Sequence, residues 1–82
     1  MHELAITQGF LTLALEEAKK AQGKRITRIN LVLGEMTGLK EESVRFCFDL
    51  ASKNSIAAGA VLSFCYMPGW DSYVKTIEVE QE

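Results

Sequence analysis

Histidine and proline are almost missing from this chain, and its cysteines never pair. One histidine (His2), one proline (Pro68) and two cysteines (Cys47 and Cys65) occur in 82 residues, with no CxxC. A lone histidine at the extreme start leaves no plausible serine–histidine–acid triad. The adjacent carboxylates Glu16-Glu17 and Glu41-Glu42 point about 100° apart on a helix, so they read as solvated faces rather than a general acid and base. Charge of one sign is lacking too: the net charge is −2 with acids and bases interspersed, which leaves no electrostatic footprint for nucleic acid. No apolar run approaches the ~20 residues of a membrane helix. The opening residues lack the basic region and apolar block of a secretory signal, so a cytoplasmic location is expected. There both cysteines would remain thiols. Each lies in an apolar run, Phe46-Cys47-Phe48 or Phe64-Cys65-Tyr66, and is expected to pack as a small hydrophobe. The glycine-bounded loop Gly34–Gly38 is followed by Leu39 rather than the Lys-Ser/Thr of a phosphate loop. No enzyme is indicated, and a binding or carrier module is favoured.

What is present is a small globular domain. Hydrophobic residues make up 48% of the chain and charged residues 24%, a balance that can bury one core. Glu3 to about Gln22 reads as a helix. Leu4, Ile6, Phe10, Leu11, Leu13, Ala14, Leu15, Ala18 and Ala21 spread over more than half its circumference. That width suggests one contact to a sheet and another elsewhere. Gly23 is the expected stop, with Lys19 and Lys20 suited to the last turn. Ile26 to Leu33 alternates as a strand, with Val32 adding an apolar residue to the second face.

A second helix is predicted from about Lys40 to Ser52. Val44, Cys47, Phe48 and Ala51 form its stripe, and Phe46 and Leu50 widen it. Ala60–Met67 and Tyr73–Glu80 read as strands about the Pro68-Gly69 turn. Trp70 and Tyr73 are expected to pack on the sheet. The order α-β-α-β-β predicts an α+β domain, two helices on a three-stranded mixed sheet. Its first two strands are parallel through a crossover helix and its last two form an antiparallel hairpin. Exposed sheet edges are often covered by dimerisation.

The first three residues hold the remaining chemistry. His2 lies one peptide bond from the terminal amine, and the first amides of a helix have no internal partner. Imidazole, amine and deprotonated amides can supply four nitrogens in a plane, a set suited to Ni(II) or Cu(II) rather than tetrahedral zinc. A bulky second residue should keep Met1 in place. Histidine is nevertheless commoner as an ordinary surface residue than as a ligand, so His2 alone establishes no site.

The ordered set MHELAITQ (1–8), RITRINLVLGEMTGL (25–39), EESVRFCFDL (41–50), IAAGAVL (56–62) and VKTIEVE (74–80) resembles the HypA/HybF nickel chaperones of [NiFe] hydrogenase maturation. The resemblance runs nearly end to end. It implies Ni(II) held at Met1-His2-Glu3 by the His2 side chain and backbone nitrogens, with Glu3 more apt to orient the turn than to ligate. It also implies a maturation GTPase and the hydrogenase large subunit as partners. One departure is large. The family carries a zinc module with two CxxC pairs between its last two strands, whereas this chain has only Met67-Pro68-Gly69-Trp70. Structural zinc needs about four thiolate or imidazole ligands, so no zinc is expected. Residues 1–82 are read as a single nickel-binding domain without the module, and the close retention of both flanking strands favours excision. The shortened connection invites a homodimer, perhaps domain-swapped through the closing strand or hairpin. The competing reading is a protein-interaction or dimerisation adaptor with an inert N-terminus.

Overall fold

The computed structural model describes residues 3–81. In chain order, α1 spans Glu3–Lys20, β1 Arg25–Gly34, α2 Glu41–Ala51, β2 Val61–Met67 and β3 Tyr73–Glu80, with a single 3₁₀ turn at Glu35–Thr37. This is the α-β-α-β-β order expected from the hydrophobic periodicities: two helices and one three-stranded mixed sheet.

The sheet is ordered β2-β1-β3. β1 pairs in parallel with β2, from Arg28↔Val61 to Gly34↔Met67, and antiparallel with β3, from Arg25↔Glu80 to Val32↔Tyr73. The predicted hairpin between the last two strands is therefore wrong, because β2 and β3 lie on opposite edges. Residues 68–72 cross the end of β1 instead of folding back beside β2. Two hydrogen bonds hold the crossing, from Gly34 N–H to Ser72 Oγ (2.9 Å) and from Met36 N–H to the Gly69 carbonyl (2.9 Å). A Pro-Gly turn looks the same in sequence whether the next strand lands beside its predecessor or one place over.

Gly34 makes the crossing sterically feasible. A Cβ there would stand 2.7 Å from the Gly69 oxygen and 2.8 and 2.9 Å from the Asp71 oxygen and nitrogen. All three are backbone atoms, which cannot swing aside as a flexible side chain would.

The core lies between the sheet and the two helices. Ile26, Ile29, Leu31 and Leu33 of β1, with Leu62 of β2, meet Phe10, Leu11, Ala14 and Ala18 of α1 and Val44 and Phe48 of α2. Each fully buried aliphatic such as Ile26, Leu33 or Val44 contributes about 1.5–3 kcal/mol. The stripe Thr7, Phe10, Leu11, Ala14, Ala18 follows i, i+3, i+4 spacing and is narrower than predicted, for Leu4 and Leu13 stay exposed.

The helix ends in a Schellman arrangement. Gly23 N–H bonds the Ala18 carbonyl at 2.8 Å and Gln22 N–H the Lys19 carbonyl at 3.1 Å. The left-handed residue is Gln22, at φ 56°, so the predicted stop at Gly23 is displaced by one position.

Three further expectations are corrected. Phe46 and Leu50 do not widen the buried stripe of α2 but are exposed. Trp70 is 70% exposed and Tyr73 46%, rather than packed on the sheet, because the crossing puts them at its end. Cys65 is exposed and Cys47 only half-buried. Cys65 alternates with the buried Leu62 side of β2 and lies on the face the helices leave open. On that face Arg28 ties three strands together, donating to Ser63 Oγ of β2 and pairing with Glu78 of β3 at 3.7 Å. Asn30 adds a bond to Thr76 at 2.9 Å.

The packing around Gly34 yields a direct expectation. Gly34→Ala should lower stability by roughly 1–3 kcal/mol, the usual cost of overpacking. It is read as a lower urea midpoint at unchanged slope. An unchanged midpoint would show that the crossing relaxes freely.

Candidate metal centre at the start of the first helix

α1 begins at Glu3, with this carboxylate in the first turn, where the helix dipole favours negative charge. α1 also packs along α2, which brings its start beside the first turns of that helix. Glu3, Glu42, Ser43, Phe46 and Cys47 line an open cleft of about 310 Å³ there. The α2 members occupy one face by helical spacing: Glu42 with Phe46 and Ser43 with Cys47 are i, i+4 pairs. The cleft thus combines two carboxylates, one thiol and one exposed aromatic ring.

Of the predicted site residues, Glu3 alone is described, and its side chain is half-buried at the cleft wall. Met1 and His2, expected to supply amine and imidazole, lie outside the described residues. Among the described residues no group of three or more His, Cys, Asp or Glu side chains is placed to hold a metal ion. Glu42 and Cys47 were missed as neighbours of this region. In the sequence Glu42 reads as part of a solvated face and Cys47 as a packed small hydrophobe. The i, i+4 relation to Phe46 and Ser43 was the available signal, but it does not say which helix lies opposite.

One helical turn beyond Glu3, Thr7 is fully buried, and its Oγ1 has no hydrogen-bond partner. An unpaired buried hydroxyl costs about 1–3 kcal/mol. The other threonine of α1 does find a partner: Thr12 Oγ1 donates to the Gln8 carbonyl at 2.9 Å.

No helix among the described residues is long and apolar enough to cross a membrane. The sequence family described as hydrogenase/urease nickel incorporation, metallochaperone, hypA matches residues 1–70. The hydrogenase maturation factor HypA of Caldanaerobacter subterraneus subsp. tengcongensis is 47% identical over 64 residues, covering 78% of this chain and 56% of that protein. The factor of the same name from Dehalococcoides mccartyi (strain 195) is 46% identical over 68 residues, covering 83% of this chain and 57% of that protein. The chain therefore spans little more than half the length of these relatives. In three dimensions it is similar to the solution structure of the Ni metallochaperone HypA from Helicobacter pylori. That match has a TM-score of 0.85 and covers 100% of both chains, and at 17% identity it speaks to the fold.

The orphaned hydroxyl supplies a test of the framework under the cleft. Thr7→Val keeps the side-chain shape and removes the unpaired group, so stability should rise by roughly 1 kcal/mol. A urea midpoint at or below that of the parent chain would show that Oγ1 finds a partner in solution.

Proposed function

The chain belongs to the HypA family of nickel-incorporation metallochaperones, and from that premise we propose that it carries one Ni(II) at its N-terminus for insertion into a [NiFe] hydrogenase. The family match beginning at residue 1 carries the proposal, since it includes Met1-His2-Glu3. The local fold supports it. With α1 starting at Glu3, the first amides fall where a helix leaves donors without internal partners. His2 is proposed to ligate through its imidazole, and Met1 through its amine. Glu3 acts through its backbone nitrogen or by orienting the turn from the cleft wall. Ni(II) is cargo here: the family is one of metallochaperones rather than enzymes.

We further propose that residues 1–82 are a single nickel-binding domain lacking a zinc module. Residues 68–72 (Pro68, Gly69, Trp70, Asp71, Ser72) contain neither cysteine nor histidine, and they pass directly across Gly34. A maturation GTPase and the hydrogenase large subunit are the proposed partners, in the cytoplasm. A second copy of this chain is the third, associating by a sheet edge or by exchange of β3.

Two measurements test these readings. Nickel titration followed by visible absorbance should show one Ni(II) per chain with a weak band of square-planar, amide-bound metal. His2→Ala should abolish the band and leave the circular dichroism unchanged, and residues added before Met1 should weaken binding. A ligating imidazole must be neutral, and its ordinary pKa is about 6.5. Affinity should therefore fall as pH drops below that value, more steeply than one proton allows if amides also ionise. Unchanged affinity in both variants would move the site elsewhere and favour the adaptor reading. Elemental analysis should find no stoichiometric zinc, with the fold intact in chelator; one zinc per chain whose removal unfolds the protein would refute the domain assignment.

A further inference from the structure

The two edges of the sheet are built differently. β3 places Lys75, Glu78 and Glu80 along its length, and its register with β1 is broken by two irregularities. Both features discourage another strand from adding to an edge. β2 has neither. Its seven residues, Val61-Leu62-Ser63-Phe64-Cys65-Tyr66-Met67, carry no charge and no proline, and they pair with β1 without a shift. Only one side of β2 is paired, so half its backbone donors and acceptors face outward. Around them Val61, Tyr66 and Met67 are 50%, 43% and 47% exposed. The patch continues onto α2. Its Arg45 guanidinium stands 4.9 Å from the Phe64 ring centroid, and Phe46 beside it is exposed.

We infer that the outer edge of β2 is an interface for a second copy of this chain, paired antiparallel about Phe64 to make one six-stranded sheet. The inference rests on the proposal above that a second copy is a partner, and it assigns that partner a surface and a register. The register follows from the strand itself. Phe64 is the midpoint of Val61–Met67, so only a two-fold axis there pairs every residue of both strands. It sets Phe64 against Phe64, Leu62 against Tyr66, Ser63 against Cys65 and Val61 against Met67. No pair opposes like charges, and apolar residues meet apolar ones on both faces, the pairings that stabilise antiparallel strands. Arg45 over each Phe64 is balanced by Glu41 at 3.5 Å, so joining the two edges adds no unneutralised cation. β3 offers no such match, since pairing it with itself brings charged residues into the ladder.

The test uses two exposed positions that face each other across the axis. Light scattering on the full chain should show the mass doubling between micromolar and millimolar concentrations. Val61→Lys with Met67→Lys sets lysine against lysine at both ends of the ladder and should weaken association about tenfold or more. Val61→Lys with Met67→Glu sets opposite charges there and should restore it, and Thr76→Lys on β3 should change nothing. Circular dichroism confirms that each variant is folded. A dimer indifferent to the lysine pair would overturn the β2 interface and leave exchange of β3 as the mode of association. A monomer at every concentration would overturn self-association itself.

Discussion

Among the described residues every strand pairing passes through β1. It is the one strand bonded on both sides, and it contributes Ile26, Ile29, Leu31 and Leu33 to the core, each no more than 2% exposed. Hydrophobic burial and two backbone ladders therefore act on the same ten residues. The open face is secured from the same strand, where Arg28 reaches Ser63 on one neighbour and Glu78 on the other. The Arg28–Glu78 ion pair is half-exposed and worth little alone. Its value is geometric, because the same Arg28 side chain reaches from the central strand to both edge strands. At the far end Gly34 lets the chain pass from one edge to the other, so the topology depends on a missing Cβ as much as on buried side chains.

The candidate site inherits its position from this strand. α1 packs on the sheet through small residues, and Ala14 and Ala18 are fully buried. Small residues let the helix approach closely and fix its axis. Its C-terminal end is closed by Gln22 and Gly23, which hand the chain straight into β1. With one end tied to the central strand and the stripe seated in the core, the other end is carried to the first turns of α2. The carboxylate of Glu3 and the half-buried thiol of Cys47 then border the same cleft, although 44 positions separate them in the chain.

The elements were legible because their periodicities are strong. The alternation of Ile29, Leu31 and Leu33 and the spacing of Phe10, Ala14 and Ala18 each admit one reading. Pairing was harder, because a turn motif such as Pro68-Gly69 encodes a change of direction and not a destination. A clue was available in Leu31-Val32-Leu33, a continuous apolar run that suits an interior strand buried on both faces, as the 3% exposure of Val32 bears out. The exposure of Trp70 and Cys65 was hidden for a related reason: residue type predicts burial only once the face is known. At the site, the family pattern around Met1-His2-Glu3 was readable directly. Glu42 and Cys47 were not, since their relevance arises from the packing of one helix against another.

The crossing between β2 and β3 contributes a connection rather than core. Pro68, Trp70 and Asp71 are exposed and Gly69 and Ser72 only partly covered, so none of residues 68–72 belongs to the buried core. The core closes from α1, β1, α2 and β2, with Val74, Ile77 and Val79 of β3 packed against it. At this place the domain needs only a connection of the right length across Gly34. The cost falls on the surface. Met36, Met67, Trp70 and Tyr73 remain exposed around that end of the sheet, an apolar concentration of the kind that marks contact sites on soluble proteins. Core and crossing are thus separable here: the buried cluster is closed without residues 68–72, and the side chains the crossing leaves at the end of β1 stay on the surface.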